Sequence, residues 1–356
     1  MSAGRPALHV GIAGAGLAGR TLAWRLLRAG CRVSLFDARA RGDLATASMT
    51  AAAMLSPLAE LAVSDDVVFA LGQRSMRLWP QWISELADRG LPVYFRREGT
   101  LVVAHAPDQS SLAHFTGLLL HKLPEAARAQ VHTLDAAALA RAEPALAGRF
   151  GNGLMLDGEG QLANDQWMAA LATEIDRLGG SWLEGRAVDA VEGGHIECGG
   201  QTYDVDVAVD ARGVGARQNW PQLRGVRGEV LTVECDGVTL QRPVRLMHPR
   251  YQLYVAPRPN HQFVVGATEL ESEDTGPVTL RSTLELGSAL HSLHPAFGEA
   301  RVLRLAAALR PALDDHRPMI AQRHGVWHIN GLYRHGYLCA PALVEDLVHQ
   351  LLGQGK

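Results

Sequence analysis

The run Gly-Ile-Ala-Gly-Ala-Gly-Leu-Ala-Gly, from Gly11 to Gly19, constrains this chain more than any other feature. A strand-like stretch (His9, Val10, Ile12, Ala13) leads into it. An apolar helix leads out, with Leu17, Leu22, Leu26 and Leu27 at helical spacing, and stops at Gly30. A second strand over 32–36 follows at once and ends on Asp37. Strand, glycine turn, helix, strand and terminal acid in this order make a dinucleotide-binding βαβ unit. Gly14 permits the tight turn, Gly16 lets a pyrophosphate approach the backbone, and Gly19 lets the helix pack close to the strand. The helix N-terminus, at Ala15, Leu17 and Ala18, offers N–H groups and a positive dipole end to phosphates. Asp37 can accept hydrogen bonds from a ribose.

The motif alone does not choose between NAD and FAD. An NAD domain continues with further strand–helix units. Here Ala38 and Arg39 are followed by a small-residue stretch over 45–57 that contains Ala51, Ala52, Ala53 and Met54. Small side chains let backbone lie against a flat ligand; the composition also suits a plain Ala-rich helix. The 356 residues are enough for two domains. With 47% apolar and 20% charged residues the chain has the composition of a globular protein. A formal net charge of −3 gives no basic footprint for nucleic acid. No apolar run is long enough for a spanning helix, and the short lead before His9 leaves no room for a signal peptide, so a cytoplasmic setting is expected. Cys31, Cys198, Cys235 and Cys339 are scattered without a C-x-x-C pair, which argues against a zinc site or a disulfide scaffold. His324 and His328 flank a strand-like segment and do not converge as ligands, so no metal is expected.

Periodicity predicts helices over 58–89, 112–128, 165–178, 280–293 and 341–352, and a short helix and turn over 134–146 closed by Glu143-Pro144. It predicts a hairpin over 93–104, strands over 182–188, 203–211 and 326–330, and an antiparallel sheet over 226–268. The strand 203–211 runs into Arg212-Gly213, a small-residue turn at the carboxyl edge of an α/β sheet, where ligands bind.

Together these segments resemble the D-amino-acid-oxidase superfamily of flavoproteins, most closely the glycine oxidases of thiamine biosynthesis. The resemblance covers nearly the whole chain. Beside the Gly14–Gly19 turn and Asp37, it is carried by Ala51-Ala52-Ala53-Met54-Leu55-Ser56-Pro57, which resembles the segment bordering the flavin ring, and by Glu143-Pro144. Val226-Arg227-Gly228-Glu229, Tyr254-Val255-Ala256-Pro257-Arg258, Val265-Gly266-Ala267-Thr268 and Leu309-Arg310-Pro311 resemble strands of the substrate sheet. The run from Asn330 to Tyr337, with Ala340-Pro341, resembles the flavin loop.

The resemblance implies an α/β fold in which a Rossmann-like, glutathione-reductase-type FAD domain (1–88, 152–221 and 305–356) is interleaved with an antiparallel-sheet substrate domain (89–151 and 222–304). It implies non-covalent FAD, because Cys339 does not match the family's linkage position. FAD contacts are implied for Gly14 to Gly19, Asp37, Ala38, Arg39, Ala52, Ala53, Met54, Val188 (by its backbone to adenine), Ala211 and Gly213. In the C-terminal loop they are implied for Gly331, Tyr333, Arg334, His335, Gly336, Tyr337 and Leu338. Arg310 stands where the family anchors the substrate carboxylate; otherwise it reads as a surface ion pair with Asp314 or Asp315. Tyr254 stands where a phenol donates to that carboxylate, Arg334 near the substrate amine and the flavin, and Met54 beside the ring. Glu269 and Gln252 depart from a well-known glycine oxidase of the family, which carries Met and His at these places. An acid at 269 facing the pocket favours a substrate with a cationic or donor group and disfavours a second carboxylate; alternatively it points away and pairs with an Arg.

The implied reaction is oxidative deamination of a small amine or amino acid (glycine, sarcosine, a small D-amino acid). Hydride passes from Cα to flavin N5 and O2 is reduced to H2O2, with thiamine (thiazole) biosynthesis as the setting. A D-amino-acid or sarcosine-type dehydrogenase serving a quinone, a tRNA-modification oxidase relative and a non-enzymatic flavoprotein are the alternatives. A homo-oligomer stays open.

Overall fold

The first βαβ unit of the chain seeds a six-stranded sheet. In the computed structural model, which describes residues 7–248 and 253–353, its strands run in the order Met319–Arg323, Val326–Asn330, Val207–Asp210, His9–Ala13, Arg32–Asp37 and Ser181–Glu184. All pairings are parallel except that of the edge strand Met319–Arg323. Helices Leu17–Arg28, Asp66–Ala87, Asn164–Arg177 and Gly336–Gly353 cover one face. Between them Trp24, Trp79, Trp82 and Trp167 close a ring of edge-to-face contacts with centroids 4.7 to 6.3 Å apart. Such pairs contribute about 0.5–1.5 kcal/mol each beyond area burial. The other face packs on an antiparallel meander, Val188–Glu192, His195–Cys198 and Gln201–Asp204, through Phe36, Val191, Ile196 and Val205.

An eight-stranded sheet builds the second layer. Its order is Arg301–Ala312, Arg224–Glu234, Gln262–Gly266, Leu253–Arg258, Val244–Met247, Thr100–Ala104, Asn152–Leu156 and Val131–Asp135. Only Val244–Met247 and Thr100–Ala104 pair in parallel. Helix Leu280–Leu293 buries Leu286, Ala289, Leu290 and Leu293 against it. A small sheet of Met54–Leu55, Gly160–Leu162 and Phe95–Arg96 joins the layers.

The fold corrects several sequence expectations. The 58–89 helix is two helices, Pro57–Leu61 and Asp66–Ala87. The side chain of Asp65 accepts from the N–H groups of Val67 and Val68, both at 3.1 Å, and caps the second. The 93–104 hairpin does not form. Gly99, at φ +81°, turns the chain so that Phe95–Arg96 and Thr100–Ala104 enter different sheets. The 182–188 strand breaks at Gly185 (φ +73°), and the 203–211 strand divides between the meander and the parallel sheet. The C-terminal helix begins at Gly336, five residues before Pro341. Proline has no N–H for the carbonyl one turn back. Here that carbonyl, of Tyr337, accepts from Trp79 Nε1 at 3.1 Å, so the helix runs through.

Candidate active site

The carboxyl ends of the parallel strands and the eight-stranded sheet together line a cleft of about 1330 Å³. That exceeds the roughly 300–1,000 Å³ of an ordinary small-ligand pocket, and leaves room for an extended cofactor and a substrate. One end is built by the glycine turn. Gly14 lies at φ +99°, and a Cβ there would sit 2.5 Å from the Ala211 carbonyl oxygen. A Cβ on Gly19 would sit 1.8 Å from Gly14 O, so Gly19 packs the helix against the turn itself more closely than against the strand. Gly16 differs: its missing Cβ would meet only Ser48 Oγ at 3.3 Å, and its open side faces the cleft. Asp37 accepts from the N–H groups of Ala15 (2.6 Å) and Arg39 (2.8 Å), one on each carboxylate oxygen. Each oxygen keeps a lone pair for a ligand hydroxyl. These features fit a dinucleotide.

The small-residue stretch is helical only over Ala47–Thr50, and then extends along the cleft. Ala53 holds φ +47°, a left-handed conformation that costs a non-glycine residue about 1–3 kcal/mol. Its neighbour Ala52 is held from behind by Arg258, whose Nη2 donates to the Ala52 carbonyl and Nη1 to Gln161 Oε1. Burial pulls Arg258 down to about 10.

Of the residues named from sequence, Gly14, Ala15, Gly16, Leu17, Ala18, Asp37, Ala38, Arg39, Ala52, Ala53, Met54, Val188, Ala211, Gly213, Tyr254, Glu269, Arg310 and 333–338 line the cleft. Gly19 and Gly331 do not line it. Gly331, at φ +69°, turns the chain against the Arg317 carbonyl, 2.9 Å from where its Cβ would lie. Gln252 lies outside the described residues.

The other end of the cleft rests on the eight-stranded sheet. Arg310 extends its guanidinium over Gly228, where a Cβ would come within 2.3 Å of Cζ. Arg310 Nη2 donates to Thr268 O at 3.0 Å and Nη1 to Arg227 O at 3.4 Å. Among the described residues no carboxylate pairs with it, so neither Asp314 nor Asp315 takes it as a surface partner. The Tyr254 phenol lies over Gly266 in the same way, 2.8 Å from where a Cβ would be. Burial pushes its pKa up, against the opposing pull of Arg310.

Glu269 faces the cleft and is paired there. Its Oε2 accepts from Arg334 Nη1 at 3.0 Å. Arg334 Nε reaches Glu60 Oε2 at 3.0 Å, and Glu60 Oε1 accepts from Arg245 Nη2 at 2.9 Å. His335 Nδ1 lies 3.3 Å from Glu60 Oε2. Burial alone would raise Glu60, but Arg334, His335 and Arg245 outweigh it and hold the carboxyl well below its usual range. Burial likewise raises Glu269, and Tyr333 and Arg334 outweigh it. The Tyr333 hydroxyl is buried with no partner at hydrogen-bonding geometry among the described residues. Burial and the nearby Glu269 carboxylate push its pKa up. The chain Arg245–Glu60–Arg334–Glu269 thus balances its own charge and leaves Arg310 as the unpaired cation at this end of the cleft, among the described residues.

Sequence reading missed Glu60 and Arg245, and gave no separate role to Arg258 or Ser48, which stand in segments it singled out. Ser48 Oγ accepts from Leu17 N at 2.9 Å at the start of the first helix. Glu60 has one faint signal, an acid in an otherwise apolar Pro57–Leu61 helix; Arg245 has none, since its partner Glu60 lies far away in the chain.

Comparison with known proteins fits this architecture. A glycine oxidase structure from Geobacillus kaustophilus superposes with a TM-score of 0.84 at 23% identity, covering 97% of this chain and 94% of that one. The glycine oxidase of Bacillus licheniformis is 26% identical over 362 residues, 96% of this chain and 92% of the relative. A Rhizobium etli protein named as a thiamine biosynthesis oxidoreductase, ThiO, is 40% identical over 345 residues, 97% of each chain. The model of the family described as FAD dependent oxidoreductase (DAO) matches residues 9–350. With cleft, topology and a match over nearly its whole length in agreement, the chain belongs to the FAD dependent oxidoreductase family.

Proposed function

We propose that this protein is an oxidase of a small amino acid or amine, with glycine, sarcosine and small D-amino acids as the substrate class. The observation that carries the reading is Arg310, a cleft-facing guanidinium held by two carbonyls and paired with no carboxylate among the described residues. Such a group suits bidentate capture of a substrate carboxylate. When bound, FAD would supply a two-electron acceptor for oxidation of the substrate at its Cα, with O2 as the final acceptor and H2O2 as the product.

The chain's own part is binding and orientation. Asp37 and the turn at Gly14–Gly16 hold the ribose and pyrophosphate. Ala52, Ala53 and Met54 border the flavin ring, where small side chains allow close approach. Arg310 and the Tyr254 hydroxyl fix the substrate carboxylate, which turns the Cα toward the ring. Orientation of this kind contributes several kcal/mol. The substrate must bind as the neutral amine to release hydride, so the rate rises with pH. The names of the relatives support this substrate class, and that of the Rhizobium etli protein supports a place in thiamine (thiazole) biosynthesis.

The test is peroxide formation by the FAD-loaded protein on glycine and on a short alkylamine, in wild type and Arg310→Met. Loss of a buried charged anchor costs about 2–5 kcal/mol, roughly 30- to 5,000-fold in kcat/KM. The expected result is that loss for glycine and little change for the alkylamine. Equal losses on both would make Arg310 structural. Dye reduction without peroxide would move the protein to the dehydrogenases.

A further inference from the structure

Strand Arg224–Glu234 shows two faces. Gly228 and Val230 line the cleft, while Arg227 and Glu229 alternate to the opposite side and are almost completely buried there. All five guanidinium N–H groups of Arg227 have an acceptor. Nε and Nη2 reach Glu229 Oε1 at 3.1 and 2.7 Å. Nη1 donates to Asp274 O (2.6 Å) and Gly276 O (2.9 Å), and the remaining Nη2 hydrogen to Pro277 O (2.7 Å). Three of these acceptors are carbonyls of one loop, 270–277, whose Leu270 and Thr275 line the cleft. The backbone of Arg227 also exchanges N–H···O bonds with Leu270, both at 2.9 Å. Glu229 ties in the start of the loop: its N–H donates to Thr268 Oγ1 at 2.9 Å, and its main-chain oxygen accepts from Thr268 N at 3.2 Å.

The two carbonyls that hold Arg310 belong to Arg227 and Thr268, the same two residues. The anchor on the cleft side and the clamp on the far side therefore share one piece of backbone. Taking a guanidinium and a carboxylate out of water costs several kcal/mol per ion and is offset only by complete hydrogen bonding. That completeness is present here, and it is spent on a loop that roofs the substrate end.

We propose that Arg227 is a positioning residue for substrate specificity. By clamping loop 270–277 and fixing the carbonyls of Arg227 and Thr268, it sets the guanidinium of Arg310 in the geometry that binds a carboxylate. Arg227 touches neither substrate nor cofactor. Flat bidentate recognition tolerates little displacement, so loosening the clamp weakens capture of the carboxylate and leaves the chemical step alone. This rests on the role given to Arg310 above.

The experiment uses the FAD-loaded full chain. Glycolate, a carboxylate without an oxidisable amine, is titrated while the flavin absorbance is followed, and KM and kcat are measured for glycine and a short alkylamine. In Arg227→Lys, which keeps the charge and loses the five-donor fork, the Kd for glycolate and the KM for glycine rise about tenfold or more. The kcat for glycine and the kcat/KM for the alkylamine stay within about threefold. Asp274→Ala, an exposed change in the clamped loop and outside the cleft, shifts glycolate binding in the same direction, by about threefold. It decides the matter if the lysine variant does not fold. Glycolate binding within about twofold of wild type in the folded variant, or losses shared equally by alkylamine and glycine, would overturn the proposal. If Arg310→Met itself leaves glycolate binding unchanged, the anchoring role fails and this inference goes with it.

Discussion

The guanidinium of Arg310 occupies the space above Gly228 that a side chain would fill: a Cβ on Gly228 would lie 2.3 Å from Arg310 Cζ and 2.4 Å from Nη2. The two residues sit on adjacent antiparallel strands, with Arg310 opposite Val226 and Gly228 opposite Ala308. The glycine is therefore a seat for the cation.

Gly228→Ala tests the seat. The displaced atoms are the tip of a flexible side chain, so the guanidinium can swing aside and the fold should lose no more than about 1 kcal/mol. Binding should suffer more. We expect kcat/KM for glycine to fall roughly 10- to 100-fold, about 1.4–2.7 kcal/mol, with the alkylamine much less affected. Full glycine activity in a folded variant would show that the guanidinium has room to spare.

Asp37→Ala removes the acceptor at the end of the second strand. It should weaken FAD binding by about 1.5–3 kcal/mol, the scale for hydrogen bonds to a charged group. The Ala15 and Arg39 N–H groups also lose their partner. Titration of the apoprotein with FAD, followed by quenching of flavin fluorescence, reads this directly; an unchanged Kd rejects the role.

Glu269→Gln tests selection against a second carboxylate. In wild type the acid faces the cleft yet is paired with Arg334, which joins parts of both sequence readings, so we expect it to offer little attraction to a cationic substrate. What it does is occupy Arg334. The pair is partly exposed, with 48% of the Glu269 side chain accessible, which limits it to about 0.2–1 kcal/mol. With Gln, Arg334 keeps Glu60 and turns one face to the cleft. The kcat/KM ratio of D-aspartate to glycine should rise roughly two- to fivefold. A ratio that does not move removes Glu269 from specificity.

Glu159 gives a pH dependence of stability. It is fully buried; Oε1 accepts from Ala59 N at 2.8 Å while Oε2 has no partner among the described residues. Burial pushes its carboxyl up to about 6 from 4.5. The folded state thus holds a proton over that interval that the unfolded state has released, so stability falls as pH rises from about 4.5 to about 6 and is flat on either side for this group. The span is about 2 kcal/mol. Glu159→Gln places an amide N–H₂ near Ser56 and Thr100, whose hydroxyls are buried without partners of their own among the described residues. It should remove that slope and be the more stable protein at pH 8. Denaturant unfolding at pH 5 and pH 8 checks it, and parallel pH profiles in both proteins would count against the assignment.

Local chain chemistry determined the cofactor end of this protein. Turn, helix start and terminal acid from Gly14 to Asp37 lie within two dozen residues, and their spacing needs no tertiary contact to be meaningful. Helix Leu280–Leu293 and the alternation over 226–268 were legible for the same reason: periodicity is a property of neighbours. Where two strands abut in sequence but join different sheets, as at Gly99 and Gly185, periodicity runs through the break, because sheet membership is set by partners elsewhere in the chain. The substrate end was decided by tertiary structure alone. Arg310 faces the cleft and forms no surface ion pair because Gly228 leaves it space and Thr268, 42 positions away, fixes it. Glu269 is paired because Arg334, 65 positions away, reaches it and is shared with Glu60, 274 positions from Arg334. Charge balance in a buried cleft is a sum over groups that meet only after folding, and no stretch of sequence contains it.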